Sequence, residues 1–175
     1  MKMKITSIPP ELPCCELTAQ RRRNLLMVAK EALRNAVQHA HATREAVRQR
    51  AHRRCEYCRF PEHVSNLPFH VEHIVASIHR PDNSLLNPAW ACPRCNLKKG
   101  LNLSTIDDQT GQQVHLFNPR TMVWHNHFAV GNGCIEGITP CGRGTVRLLD
   151  MNAENRVAHR RKLIEQGTGQ PVDAR

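Results

Sequence analysis

The sequence predicts an α+β protein in which a small zinc-stapled core follows a long basic helix and precedes a β-hairpin plus helical extension. Two Cys-x-x-Cys pairs enclose a segment of 33 residues, a helical apolar repeat lies before them, and mixed strand and helix patterns follow. The predicted segments are an extended arm (1–17), the basic helix (18–50), the core (51–103), the extension (104–167) and a tail (168–175).

The two Cys-x-x-Cys pairs are Cys55 with Cys58 and Cys92 with Cys95. Each pair puts two thiolates on one tight turn, and two such turns supply the four soft ligands that tetrahedral Zn²⁺ prefers. Eight cysteines could also form a disulfide framework, but a reducing compartment favours metal. We therefore predict a structural zinc on these four residues.

Between the pairs, the stretch Phe69–Val75 alternates apolar and polar residues as a strand does. It contains Glu72 next to His73, a hard oxygen ligand beside an imidazole that titrates near neutral pH. That pairing suits metal-assisted hydrolysis. Adjacent strand residues point to opposite faces, so Glu72 and His73 can share a site only if the strand ends or bulges there, and we expect an irregular backbone at His73.

The stretch Cys55–Gly100 resembles the HNH endonucleases, whose ββα-metal fold places a two-stranded hairpin and a helix around one divalent ion. Glu72-His73 matches the first motif of that family, Asn87 its middle Asn, and Asn96 its last motif. The resemblance implies a ββα-metal HNH core in which His73 is the general base and Glu72 and Asn96 bind the catalytic ion. Asn87 would bond across the hairpin and hold the loop that aims His73.

The resemblance also implies a metal-dependent endonuclease that hydrolyses phosphodiester bonds. One carboxylate and one amide leave room for water and phosphate, which favours Mg²⁺ or Mn²⁺ at the catalytic centre. DNA is the favoured substrate, while RNA and single strands stay open. The alternative is a zinc-stabilised nucleic-acid-binding module without catalysis, and neither reading needs a small-molecule cofactor or sets the oligomeric state.

A formal charge of +10 and a pI near 9.7 favour a polyanionic partner. Five residues near the predicted centre are candidate nucleic-acid contacts: His70, His79, Arg80, Lys98 and Lys99. A structural role for His70, a solvated loop around His79 and Arg80, and lysines that complement a helix C-terminus are the alternatives. The arginines of the N-terminal helix could follow phosphates or form a solvated face.

In the extension, residues 114–117 and 122–125 predict a hairpin around the turn at 118–121. Thr139-Pro140 predicts an N-cap with proline at the first helical position, and helices are expected at 143–149 and 153–165. Four residues could in principle form a second zinc site, but their gaps are irregular: His125, His127, Cys134 and Cys141.

Several classes of protein have no support in this sequence. It contains no phosphate-binding Gly-rich loop and no Gly-x-Ser-x-Gly elbow, which argues against kinase, dehydrogenase and esterase functions. It also has no apolar run suited to a signal peptide or a membrane span, so we expect no membrane partner and a cytoplasmic location.

Overall fold

The computed structural model describes residues 19–82 and 84–167, without the side chains of residues 35–42. The predicted arm (1–17) and tail (168–175), and the Cys14-Cys15 pair, which the sequence suggests are free thiols, lie outside the described residues.

The described chain is α+β, as predicted, and its strands form three separate antiparallel pairs. In chain order the elements are α1 (Ala19–Arg50), β1 (His70–His73), β2 (Pro88–Ala91), α2 (Pro93–Lys99), β3 (Ser104–Ile106), β4 (Gln113–His115), β5 (Phe128–Gly131), β6 (Cys134–Gly137), α3 (Pro140–Leu148) and α4 (Glu154–Glu165). Strand β1 pairs with β2, β3 with β4, and β5 with β6. None of the described helices is long and apolar enough to cross a membrane.

The chain divides into two compact units within α1, between His41 and Ala42. In the first unit, residues 19–34 of the helix are exposed. In the second unit, Val47 and Ala51 are buried and belong to the hydrophobic core. The last two turns of α1 are therefore part of the folded core of the second unit.

Three arginines in those last turns make structural contacts. Arg44 donates to the Phe69 carbonyl at 2.7 Å, and its guanidinium lies 4.6 Å from the centroid of the Trp90 ring. Arg50 donates to the carbonyls of Leu85 and Pro88 at 2.6 and 2.5 Å. Arg48 forms an ion pair with Glu62 at 2.8 Å. At this end of the helix, the basic residues bind the core of the second unit.

The predicted two strands and helix of the core are present. β1 and β2 pair in regular antiparallel register from His70 opposite Ala91 to His73 opposite Pro88. All four residues of β2 are buried. α2 follows at once and ends at Gly100, whose φ of +50° suits glycine.

The predicted hairpin of residues 114–117 with 122–125 is wrong. β4 pairs instead with β3, so that Val114 lies opposite Thr105, and residues 124–126 form a 3-10 turn. The chain leaves the sheet after His115 because Phe117 and Trp124 both enter the core. The amide of Phe117 donates to Thr145 Oγ1 at 2.9 Å and not to a partner strand.

A second hairpin of the extension, β5 with β6, turns through Asn132-Gly133. Both residues have positive φ, 49° and 77°, as a two-residue type I′ turn requires. α3 begins at Pro140, and the side chain of Thr139 accepts from the Gly142 amide at 3.0 Å. The predicted N-cap is therefore confirmed.

Replacement of Gly142 by alanine tests the close packing of α3. A Cβ at this buried position would meet the backbone carbonyl oxygen of His127, whereas a Cβ at Gly131 would meet nothing within 4 Å. We expect Gly142→Ala to lower the free energy of unfolding by about 1–3 kcal/mol, measured by urea titration with zinc present. Gly131→Ala is the matched control, and equal stability of the two variants would contradict the packing.

Candidate metal centre and catalytic site

The sulfur atoms of Cys55, Cys58, Cys92 and Cys95 all lie within 4.8 Å of one another, and all four residues are buried. The Sγ atoms of Cys58 and Cys92 are 3.7 Å apart. Zinc at about 2.3 Å from each sulfur in a tetrahedron separates the sulfurs by about 3.8 Å. The cluster therefore suits a zinc ion, and four protein ligands make such a site closed and structural.

Arg156, from α4, lies against this cluster. Its Nη2 is 3.2 Å from Cys95 Sγ, while its Nη1 donates to the Leu149 carbonyl at 2.8 Å. Burial lowers the pKa of Arg156, but the nearby thiolates raise the pKa by more, so the guanidinium is held in its charged form. The extension thus places a fixed positive charge beside the thiolates and offsets part of their negative charge.

His73 is the last residue of β1 and is exposed, and Asn87 fixes the chain that follows it. Asn87 is buried, and its carbonyl accepts from the Ile74 amide at 3.0 Å. Its side-chain Oδ1 accepts from the Val75 amide and its Nδ2 donates to the Val75 carbonyl, both at 2.9 Å. These contacts tie the residues after His73 to the start of β2.

The environment of Glu72 differs from the predicted one. β1 ends at His73, but its pairing stays regular through that residue, so the expected irregular backbone is not found. The two side chains have opposite environments. Glu72 is only 5% exposed. Its Oε1 accepts from Lys99 Nζ at 2.6 Å and its Oε2 from the Tyr57 hydroxyl at 2.7 Å. Burial raises the pKa of Glu72 despite the opposing effect of the Lys99 charge.

A catalytic ion on Glu72 and Asn96 does not fit this arrangement. Both oxygens of Glu72 already accept hydrogen bonds, and the ammonium of Lys99 lies beside the carboxylate, where a metal ion would bind. Asn96 is half-buried on α2, one turn before Lys99. Within residues 19–82 and 84–167, the four cysteines are the one group of three or more Cys, His, Asp or Glu that could hold an ion.

The prediction that Lys99 contacts phosphate also needs correction. Lys99 is 2% exposed, and besides Glu72 its ammonium donates to the His73 carbonyl at 3.1 Å. The physical reason lies in the helix geometry. Lys99 follows Cys95 by four residues, so it shares the inward face of α2 with a buried cluster ligand.

The stretch that contains the four cysteines, β1, β2 and α2 was compared with known families. A family model described as HNH endonuclease matches residues 55–101. We refer to residues 55–101 as the HNH domain, after the family model that they match. This HNH domain contains both Cys-x-x-Cys pairs, all of β1, β2 and α2, and the residues at the three motif positions.

The chain is also similar to the Septu protein PtuB of Bacillus thuringiensis, with 28% identity over 133 residues. The aligned region covers 73% of this chain and 48% of that protein, so the chain spans about half the length of this relative. No solved structure matches the chain significantly.

The remaining predicted contact residues lie on or near the HNH domain surface. His70 is exposed on β1. His79 Nε2 donates to the Leu101 carbonyl at 2.9 Å, which anchors its loop beside the end of α2. Arg80 is largely exposed and pairs with Asp82 at 3.1 Å, and Lys98 lies 3.7 Å from Asp150.

The second zinc site considered from the sequence does not form among the described residues. His127 Nδ1 lies 2.8 Å from Thr139 Oγ1, the atom that also caps α3. Its ring packs against Phe117, with the centroids 5.8 Å apart. His127 therefore holds the extension together.

Sequence reasoning missed two residues that contact the candidate sites. Tyr57 lies inside the first Cys-x-x-Cys pair and reaches Glu72, which the spacing of a strand 15 residues later does not reveal. Arg156 lies 61 residues after Cys95 on a helix with no distinguishing motif. An aromatic residue inside a metal-binding turn is the sequence feature that could have pointed to Tyr57. No comparable feature points to Arg156.

Substitution of Arg156 by methionine tests its role beside the thiolates. Loss of the charge and of the N–H to sulfur contact should weaken zinc affinity about 10- to 100-fold, measured by competition with a chromogenic chelator. Arg161→Met is the matched control, because Arg161 is exposed on the same helix and its side chain donates to the Asn132 carbonyl. Equal zinc affinity in both variants would show that Arg156 does not support the cluster.

Proposed function

We propose that this protein is a metal-dependent endonuclease that hydrolyses phosphodiester bonds in nucleic acid, with DNA as the favoured substrate. The observation that carries the proposal is the exposed imidazole of His73 at the end of β1, inside an HNH domain. The main chain at this imidazole is held by buried groups: Lys99 donates to the His73 carbonyl, and Asn87 bonds to Val75, two residues later.

His73 is the general base in this proposal. An imidazole titrates near neutral pH, so its neutral form can accept a proton from water as that water attacks phosphorus. Asn87 positions the loop and does not touch the reacting atoms. The proposed dependence on Mg²⁺ or Mn²⁺ rests on the similarity to HNH endonucleases alone, because both carboxylate oxygens of Glu72 already bond to Lys99 and Tyr57.

The charge of the chain supports a nucleic-acid substrate. The formal charge is +10, and the exposed side chains of His70, Arg80 and Lys98 lie on the HNH domain. Exposed basic residues also occur in the first unit of α1, including Lys30 and Arg34. Contacts to phosphate by such residues would make binding fall steeply as salt is raised.

Plasmid cleavage by the full chain tests the proposal, with Mg²⁺, Mn²⁺ or EDTA present. We expect metal-dependent nicking that falls by about 100-fold or more in His73→Ala, because the general base is lost. His63→Ala is the matched control, since His63 is an exposed histidine on the 3-10 turn Glu62–Val64 of the same domain. Equal loss in both variants, or unchanged cleavage by His73→Ala, would contradict the role of His73.

One observation favours the alternative, a zinc-stabilised binding module without catalysis. The ion pair between Glu72 and Lys99 neutralises the carboxylate that a catalytic ion would need. Under this alternative, no metal supports cleavage and salt-sensitive binding of DNA remains in both the wild-type protein and His73→Ala.

A further inference from the structure

The centre of the HNH domain contains a buried ion pair that metal coordination does not explain. Glu72 is 5% exposed and Lys99 is 2% exposed, and their charged atoms are 2.6 Å apart. The hydroxyl of Tyr57 donates to the other oxygen of Glu72. Two charges removed from water in this way stabilise a fold only when their geometry is good and their remaining hydrogen-bonding groups find partners.

Both partners of Glu72 come from the four-cysteine frame. Tyr57 stands between Cys55 and Cys58, and Lys99 lies one turn after Cys95 on α2. The segments that carry the two Cys-x-x-Cys pairs are therefore joined at a second point, the carboxylate of Glu72. Zinc binding, which fixes both halves, also fixes the two groups that hold this carboxylate.

The ion pair reaches His73 through the backbone. Besides the carboxylate, Lys99 Nζ bonds to the carbonyl oxygen of His73 at 3.1 Å. One ammonium thus contacts the side chain of Glu72 and the main chain of the next residue. The strand end that carries the imidazole is held from the inside, although the imidazole itself is exposed.

We propose that Glu72 and Lys99 act as a positioning pair that fixes the end of β1 and thereby the direction of the His73 imidazole. Lys99 touches no phosphate and Glu72 binds no ion in this role. The catalytic part of the inference rests on the proposed function of His73. The mechanical part, a fixed strand end, does not.

Lys99→Met tests the pair, because it removes the charge and the donor and keeps the length of the side chain. We expect kcat to fall roughly 10- to 100-fold through misplacement of the base, with KM within about twofold of the wild-type value. Zinc content should stay at one ion per chain. Lys162→Met is the matched control, since Lys162 is an exposed lysine in the last turn of α4.

Amide hydrogen exchange gives a readout that needs no activity. The Ile74 amide bonds to the Asn87 carbonyl just beyond His73, and the Ile135 amide bonds to Asn152 Oδ1 in the extension. We expect Lys99→Met to speed exchange at Ile74 by about tenfold and to leave Ile135 unchanged. Exchange that is unchanged at Ile74, or that rises equally at both amides, would overturn the positioning role.

Two kinetic results would also overturn the proposal. A phosphate contact predicts that Lys99→Met raises KM, reduces the salt dependence and leaves kcat unchanged. A metal ligand predicts that Glu72→Gln raises the Mn²⁺ concentration for half-maximal cleavage more than about tenfold while Lys99→Met lowers it. The positioning pair predicts the same Mn²⁺ requirement in both variants.

A double variant keeps the test valid if Lys99→Met does not fold. Glu72→Met with Lys99→Met leaves neither charge unpaired in the interior, so it should retain zinc and the fold. Its kcat should equal that of a single variant, since the two residues act as one unit. Wild-type kcat in the double variant would overturn the proposal. If the wild-type protein itself cleaves nothing, the proposed function fails and the exchange measurement alone decides the strand-end claim.

Discussion

The cluster of four cysteine thiolates is the constraint on which the rest of the HNH domain depends. It joins two turns that are separated by 33 residues of chain, and the hairpin and the start of α2 lie between or beside those turns. Few other strong contacts could close so long a loop in a chain with only 4% aromatic residues. Metal binding and folding are therefore expected to be one process here, as in other small zinc-bound domains.

Charged side chains that are buried or half-buried stabilise this domain alongside its apolar packing. Arg156 lies beside the thiolates, Lys99 pairs with Glu72, and Arg120 pairs with Glu56 inside the first cysteine turn. The other oxygen of Glu56 accepts from the Trp90 amide at 2.7 Å. Such pairs are specific to one geometry, because a shifted partner would leave a charge in the interior without compensation.

The extension is part of the same construction. Trp124 donates through its indole N–H to the Tyr57 carbonyl at 2.7 Å, so the extension covers the first cysteine turn. Arg94 in α2 pairs with Asp150 at 2.8 Å, and α4 brings Arg156 to the second turn. The extension thus packs on both halves of the frame and excludes water from it. The extension therefore has a structural role beside the HNH domain.

Local chemistry made much of this architecture predictable. The spacing of the four cysteines predicts a metal cluster and Thr139-Pro140 predicts a helix N-cap, and the structure agrees with both. The side of the strand that Glu72 faces could not be read in the same way. Alternation shows that Glu72 and His73 point to opposite faces of the strand. It does not show which face is buried, because that depends on Lys99, 27 residues away.

Long-range pairing explains the other errors as well. The hairpin predicted around the Asn118 turn fails because Phe117 and Trp124 are drawn into a core formed by distant segments. Arg44 and Arg50 look like a solvated basic face until the carbonyls of Phe69 and Pro88 lie beside them. Periodic patterns in the sequence do not reveal contacts with such distant residues.

Hydrogen exchange with and without zinc tests most directly the claim that the cysteine frame holds the strand that carries His73. The zinc-loaded chain and the chain stripped by a chelator would be compared by mass spectrometry over residues 70–75, and zinc would then be restored. The account predicts that protection of this segment falls by at least about tenfold without zinc and returns with it. Full protection of residues 70–75 in the zinc-free chain would contradict it.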